Sequence, residues 1–275
     1  MKRNKRASLM LIPVAVAMIW CLIPLYVMVV GALKPSVALS VIPADLNPFK
    51  NIRWDNFAKV MKTSGMDNAF RNSFLVSAGT CILTVFVGMT GGYAFAKQKF
   101  AGKRVLFVVL LVTMMLPNQI MMIPKFMVAK ELSLTNKLHG VILTTINGAY
   151  AIFLCRQFIL SIPDALLDAA RIDGCTEFRT FFHMVVPLST PVIASLTIFT
   201  FITSWNDFVW QNIMLSGKSV RTVPLALAFL NSNPDTNSLA LQFAGATISS
   251  VPMIVVFLCF QKYFVKGISG GSVKE

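Results

Sequence analysis

Acidic side chains are scarce in this sequence: 11 Asp and Glu stand against 25 Lys and Arg, and charged residues together make up 13% of 275. Soluble domains carry roughly 25%. Histidine is nearly missing, with His139 and His183 alone and no clustered partners, so a metal site or a nucleophile-and-base catalyst has little to stand on. The five cysteines show no C-x-x-C or zinc-ligand spacing, and Cys21, Cys81, Cys155 and Cys259 lie inside apolar runs. No G-x-x-x-x-G-K-[ST] loop occurs, so ATP has no phosphate cradle here. Period-2 strand patterns of barrel length are absent as well.

What fills the chain is apolar residues, 56% of the total, with a mean hydropathy of +0.70. This argues against a soluble globular domain and excludes disorder. The formal charge of +14 would suit a nucleic-acid binder if it formed one face. The basic residues instead fall between apolar runs, as loop cations that orient a membrane protein do, and no nucleic-acid partner is expected.

The first apolar run, Leu9 to Gly31, is too long for a signal peptide: 23 residues at about 1.5 Å each exceed a hydrocarbon core of about 30 Å. No small-residue cleavage site follows it, so it reads as an uncleaved first span. Further runs cover 73–96, 105–128, 138–159, 191–215 and 241–265. The expectation is an all-α polytopic protein with six transmembrane helices over 9–265. Lys2, Arg3, Lys5 and Arg6 before the first span, and Lys97, Lys99, Lys103 and Arg104 after the second, place both segments in the cytoplasm. An even helix count then puts the 266–275 tail there with the 1–8 tail. The long segment from Ala32 to Asn72 is expected to lie outside as a small folded element, its prolines arguing against one long helix.

The spans carry polar residues at depth, among them Asn118, Asn147, Asn206 and Asp207, with prolines at 117, 124 and 252. Such residues line a path or tie helices together by hydrogen bonds, and both readings stay open. Gly88 and Gly92 are spaced for close approach of a neighbouring helix.

Between spans four and five, residues 160–190 are patterned rather than loop-like. Ser161, Pro163 and Asp164 resemble a capped helix start, small residues Ala165, Ala169 and Ala170 follow, and Gly174 ends the helix. A second short segment covers Thr176 to His183. A small-sided helix with Arg171 and Asp173 suits a knob that docks on a soluble partner.

The string LDAARIDGCTEFRTFFHMVVP, from Leu167 to Pro187, resembles the signature loop of the membrane subunits of ATP-binding-cassette importers. That loop reads Glu-Ala-Ala, three residues, Gly, nine residues, Ile, one residue, Leu-Pro. Asp168, Met184 and Val186 depart mildly from it. Asn72-Ser73, MLPNQIMMIP, SWNDF and the tail YFVKGISGGSVKE are similar, in order, to the shorter six-helix permease of maltose-type carbohydrate importers.

The resemblance implies a type I importer permease fold in a bacterial inner membrane and a subunit rather than an enzyme. It implies a second homologous permease subunit, a homodimeric cytoplasmic ATPase holding ATP and Mg, and an extracytoplasmic sugar-binding protein. It assigns Asp168, Ala169, Ala170, Arg171, Asp173 and Gly174 to ATPase coupling. The tail at Gly270, Gly271 and Ser272 is either a frayed end or, by its likeness to maltose-type tails, an ATPase contact. A self-contained secondary transporter or channel is the alternative, but it would need no docking knob.

Overall fold

The computed structural model describes residues 2–35, 47–63, 65–232 and 238–270, and the described residues are helical with no strand. In chain order the helices are α1 (Lys2–Ala32), α2 (Asp55–Thr63), α3 (Met66–Lys97), α4 (Lys103–Met114), α5 (Asn118–Glu131), α6 (Leu138–Thr145) and α7 (Gly148–Leu160). There follow α8 (Asp164–Ile172), α9 (Glu177–Thr180), a π-helical turn (Phe181–Val185), α10 (Val186–Leu188), α11 (Thr190–Trp205) and α12 (Phe208–Met214). A 3-10 turn (Lys218–Val220), α13 (Val223–Ser232) and α14 (Leu239–Gly270) complete the chain.

Three helices are long and apolar enough to cross a membrane singly: Leu11–Ala32, Met66–Lys97 and Leu239–Lys262. Three more candidate spans are bent pairs. α4 and α5 meet at 104°, α6 and α7 at 48°, and Glu177–Leu188 meets Thr190–Trp205 at 73°. The unbroken helices expected over 105–128 and 138–159 are therefore each two pieces, and the run 191–215 stops at Trp205 before restarting as α12. The first break has a local cause. Pro117 has no N–H to continue α4 and sits extended, at ψ 129°, before α5.

The chain forms two compact units. In the one made of 1–67 and 225–251, the end of α1 is fixed by side chains rather than by a helix cap. Asn56 Nδ2 donates to the carbonyls of Ala32 and Lys34 at 2.8 and 2.7 Å. Lys34 Nζ in turn donates to the carbonyls of Asn47 and Lys50 at 2.6 and 2.9 Å. These four bonds tie the described residues that follow α1, and 47–50, to one another and to α2. Gly31 packs on the Phe243 ring, and Gly245 faces Leu227 and Val60.

In the unit made of 68–224 and 252–275, α3 and α7 approach closely at the α3 glycines. A Cβ on Gly88 would lie 2.8 Å from Ala151 Cβ, and one on Gly92 would lie 2.6 Å from Cys155 Cβ and 2.9 Å from the Arg156 nitrogen. The glycine spacing is thus the seam between these helices. Around it Met89, Tyr93, Cys155, Ile159, Phe181 and Leu196 form one buried cluster, which also takes in Ile162 and Leu167 from the 160–190 segment. Side chains of α4 are not buried anywhere along the helix, as suits a lipid- or partner-facing span.

Candidate functional site

Two places collect the residues that the sequence singles out. The first is the 160–190 segment. α8 starts at Asp164, but Ser161 does not cap it: its hydroxyl donates to the Phe158 carbonyl at the end of α7. With only three residues between α7 and α8, Ser161 still belongs to the earlier helix. Asp164 instead binds Lys97 at the end of α3, Nζ to Oδ1 2.6 Å, while the same ammonium donates to the Ile162 carbonyl at 2.7 Å. The far end of α8 closes with Gly174 at φ +80°, with Cys175 N donating to Ala170 O and Gly174 N to Arg171 O. That is the paired bonding of a left-handed helix terminus, which costs a residue with a Cβ about 1 kcal/mol more than glycine.

Leu167 is buried in the cluster of α3, α7 and α11 and Ala170 is buried as well, whereas Asp168, Ala169, Asp173 and Gly174 are exposed. Arg171 is not a free charge. Its guanidinium bridges Asp168 at 2.9 Å and Glu177 at 2.9 Å, and the other Glu177 oxygen accepts from Tyr93 Oη at 2.7 Å and Gln98 Nε2 at 2.8 Å. Glu177 thereby locks both halves of the segment to α3. The pairings of Glu177 with Tyr93 and Gln98, and of Lys97 with Asp164, were not legible in the sequence, because these partners lie 67 to 84 residues apart along the chain.

A second apolar stripe on α8 also escaped the sequence reading. Leu166, Ala169 and Ile172, three apart on one face, point away from the core, with Ile172 86% and the nearby Phe178 74% exposed. The helix therefore buries one apolar stripe in its own protein and presents another.

Hydrogen bonds from Tyr93 first, then from Arg171 and Gln98, hold the Glu177 carboxyl below the usual glutamate range. Because its folded value is depressed, the brace is complete above the free glutamate value, about 4.3, and is lost as pH falls through the folded value below that. Coupling is therefore expected to be insensitive to this group between pH 6 and 8, above both its folded and its free values. In contrast, Glu177→Ala is expected to speed amide exchange in α8 and α9 roughly tenfold, in keeping with about 1 kcal/mol of half-exposed, charge-assisted bonding.

The second place is a cavity of about 400 Å³ lined by Thr80, Thr144, Thr145, Ser204 and the helix breaks. Asn118 follows the α4–α5 break, Ile146 and Asn147 form the α6–α7 break, and Asp207 lies between α11 and α12; all four residues line it. Non-helical backbone at membrane depth is tolerated where it lines such a space, and interrupted helices are where transporters place their binding sites. Asn206, the fourth residue expected on a path, is not among the lining residues: its Nδ2 donates to the Ile202 carbonyl at 2.9 Å and contacts Met253 Sδ at 3.0 Å.

Lys125, Tyr150 and Trp210 also line the cavity and went unremarked in the sequence. Asn118, Met121, Met122 and Lys125 recur at helical spacing and all line it from one face of α5, a signal that was available. Gly270 ends α14, while Gly271 and Ser272 lie outside the described residues.

An apolar helical protein with a polar cavity at its helix breaks has the layout of a transport subunit. The chain belongs to the family described as binding-protein-dependent transport system inner membrane component, which matches residues 85–270. It is 37% identical over 256 residues to the arabinooligosaccharides transport system permease protein AraQ of Bacillus subtilis, covering 92% of this chain and 90% of that one. It is 30% identical to the melibiose/raffinose/stachyose import permease protein MelC of the same organism, over the full length of both. Among solved structures it matches a chain of a bacterial ABC transporter involved in the import of the acidic polysaccharide alginate. There the TM-score is 0.83 at 21% identity, with 96% and 98% of the two chains covered. The fold is that of an ABC importer permease, and the chain is a permease subunit of such an importer.

Proposed function

We propose that this subunit carries a sugar or related carbohydrate across a bacterial inner membrane, with six crossings and both termini in the cytoplasm. It works with a second homologous permease subunit, a homodimeric cytoplasmic ATPase that binds ATP and Mg, and an extracytoplasmic sugar-binding protein. The permeases for arabinooligosaccharides and for melibiose, raffinose and stachyose support the substrate class.

The observation that carries the reading is the two-faced helix α8. Its outer stripe of Leu166, Ala169 and Ile172, bordered by Asp168, Asp173 and Gly174, fits a groove on the ATPase. Its inner stripe and the Lys97–Asp164 and Glu177 links tie it to α3 and, through the buried cluster, to α7 and α11. A push on α8 is passed to these helices as to one body, and alternating access follows when their faces rock about the cavity. Asn118, Asn147 and Asp207 then form the path. Asn206 takes the structural role of an interhelical contact, and the tail that includes Gly270, Gly271 and Ser272 adds a contact with the ATPase.

The test is uptake into proteoliposomes by the transporter assembled with its partner subunits and binding protein. The panel is arabinobiose, melibiose, raffinose and sn-glycerol-3-phosphate. ATP-dependent entry of at least one saccharide is expected; entry without ATP or without partner subunits would overturn the reading in favour of a self-contained carrier.

A further inference from the structure

The cavity holds one ammonium, Lys125, that the path reading leaves without a role, and one carboxylate, Asp207, that it places on the path. Lys125 Nζ stands 4.3 Å from the centre of the Trp210 ring and, among the described residues, forms no ion pair. Asp207 uses Oδ1 to accept the backbone N–H of Trp210 at 3.1 Å, leaving Oδ2 as an acceptor. The indole is fixed from behind, with Nε1 donating to Thr144 Oγ1 at 2.9 Å, and the residue is only 3% exposed although it lines the cavity. The Lys125 ammonium lies over the ring.

An ammonium over an indole face gains about 0.5–2 kcal/mol, well below a close ion pair in a half-buried site. The same face attracts the C–H bonds along one side of a pyranose or furanose ring, whose hydrogens carry partial positive charge. The two ligands compete for one surface. Around it the amides of Asn118 and Asn147 and the hydroxyl of Tyr150, none with a hydrogen-bond partner among the described residues, supply both donors and acceptors. One positive and one negative side chain leave the lining without net charge, so an added anion would meet Asp207 as well as Lys125. The volume falls within the roughly 300–1,000 Å³ of small-molecule sites.

We propose that the Trp210 face is a stacking platform for one neutral sugar ring, that Lys125 covers it while the cavity is empty, and that an entering ring drives the ammonium across to Asp207. The inference rests on the carbohydrate-path reading above and adds to it a site within this subunit. Covering the platform keeps the empty cavity from exposing an adhesive surface, and the ion pair formed on loading compensates for the contact given up.

The experiment measures uptake of whichever panel saccharide the assembled transporter carries best, alongside the amount of each variant in the membrane and its ATP hydrolysis. Trp210→Phe keeps an aromatic face and is expected within about threefold of wild type, whereas Trp210→Leu loses about tenfold or more. Asp207→Asn strands the displaced ammonium and is expected to cost about tenfold, Lys125→Met about threefold, and the double variant to recover to the level of Lys125→Met alone.

Equal uptake by the Phe and Leu variants would overturn the platform, and additive losses in the double variant would overturn the exchange. A transporter that carries only sn-glycerol-3-phosphate from the panel would overturn the neutral-ring assignment. Asn147→Leu reports on the path separately: unchanged uptake in that variant and in Trp210→Leu means the path itself runs elsewhere.

Discussion

Ile172→Asp is expected to reduce ATP-driven uptake about 100-fold while leaving the amount of protein in the membrane unchanged. Ile172 is 86% exposed and makes no contribution to the buried cluster, so its own fold loses nothing when it is replaced. Its place on the outer stripe of α8 makes it the apolar anchor of the proposed ATPase contact. A carboxylate there must be desolvated without a partner when the groove closes, and loss of a central anchor costs about 2–4 kcal/mol in interfaces of this kind. The checking measurement pairs uptake with co-purification of the ATPase subunit: both are expected to fall together. Uptake that persists would place the contact elsewhere on the segment. Leu166→Asp, half-exposed on the same stripe, is expected to follow in kind.

Gly92→Val is expected to act by a different route, removing folded protein rather than uncoupling it. The added Cβ meets Cys155 Cβ at 2.6 Å and the Arg156 backbone nitrogen at 2.9 Å, and neither can swing aside. α3 and α7 must separate, opening the cluster that holds Tyr93, Ile159 and Leu167, at a cost of about 3 kcal/mol or more. Gly91→Ala makes the contrast. Its Cβ would press on the Ile152 side chain at 2.7 Å, which has a rotamer to yield, so about 1 kcal/mol is expected. Thermal unfolding in detergent separates the two, and equal transition temperatures would contradict the account of the seam.

The helical class was legible because lipid imposes a long apolar pattern on each span. The interruptions were legible as residues but not as breaks. Pro117, Asn147 and Asp207 were each visible in the sequence as polar or proline insertions, yet periodicity does not register a 104° or 48° turn. That Asn118, Asn147 and Asp207, beside these breaks, converge on one cavity is a three-dimensional fact.

The 160–190 segment reads correctly as two short helices because Gly174 and Pro163 act locally. The capping role expected of Ser161 fails because a hydroxyl between two closely spaced helices serves the one that precedes it. Arg171, expected as a charge offered to a partner, is also paired within the subunit, to Asp168 and Glu177. The Tyr93–Glu177 and Lys97–Asp164 links could not be inferred, since which side chains meet across α3 and α8 depends on packing set by Gly88 and Gly92.

ATP-driven transport by this subunit requires that α8 be the point where an ATPase grips it. Ala169 is exposed in the middle of its outer stripe, which makes Ala169→Cys, in a background with the five native cysteines replaced, the direct probe. In membranes containing the assembled transporter, a bifunctional thiol reagent is expected to join this cysteine to one placed in the groove of the ATPase, with a yield that changes on adding ATP. A cysteine at 169 that never reaches the ATPase, and is labelled by an impermeant thiol reagent applied from outside the cell, would contradict both the docking and the orientation.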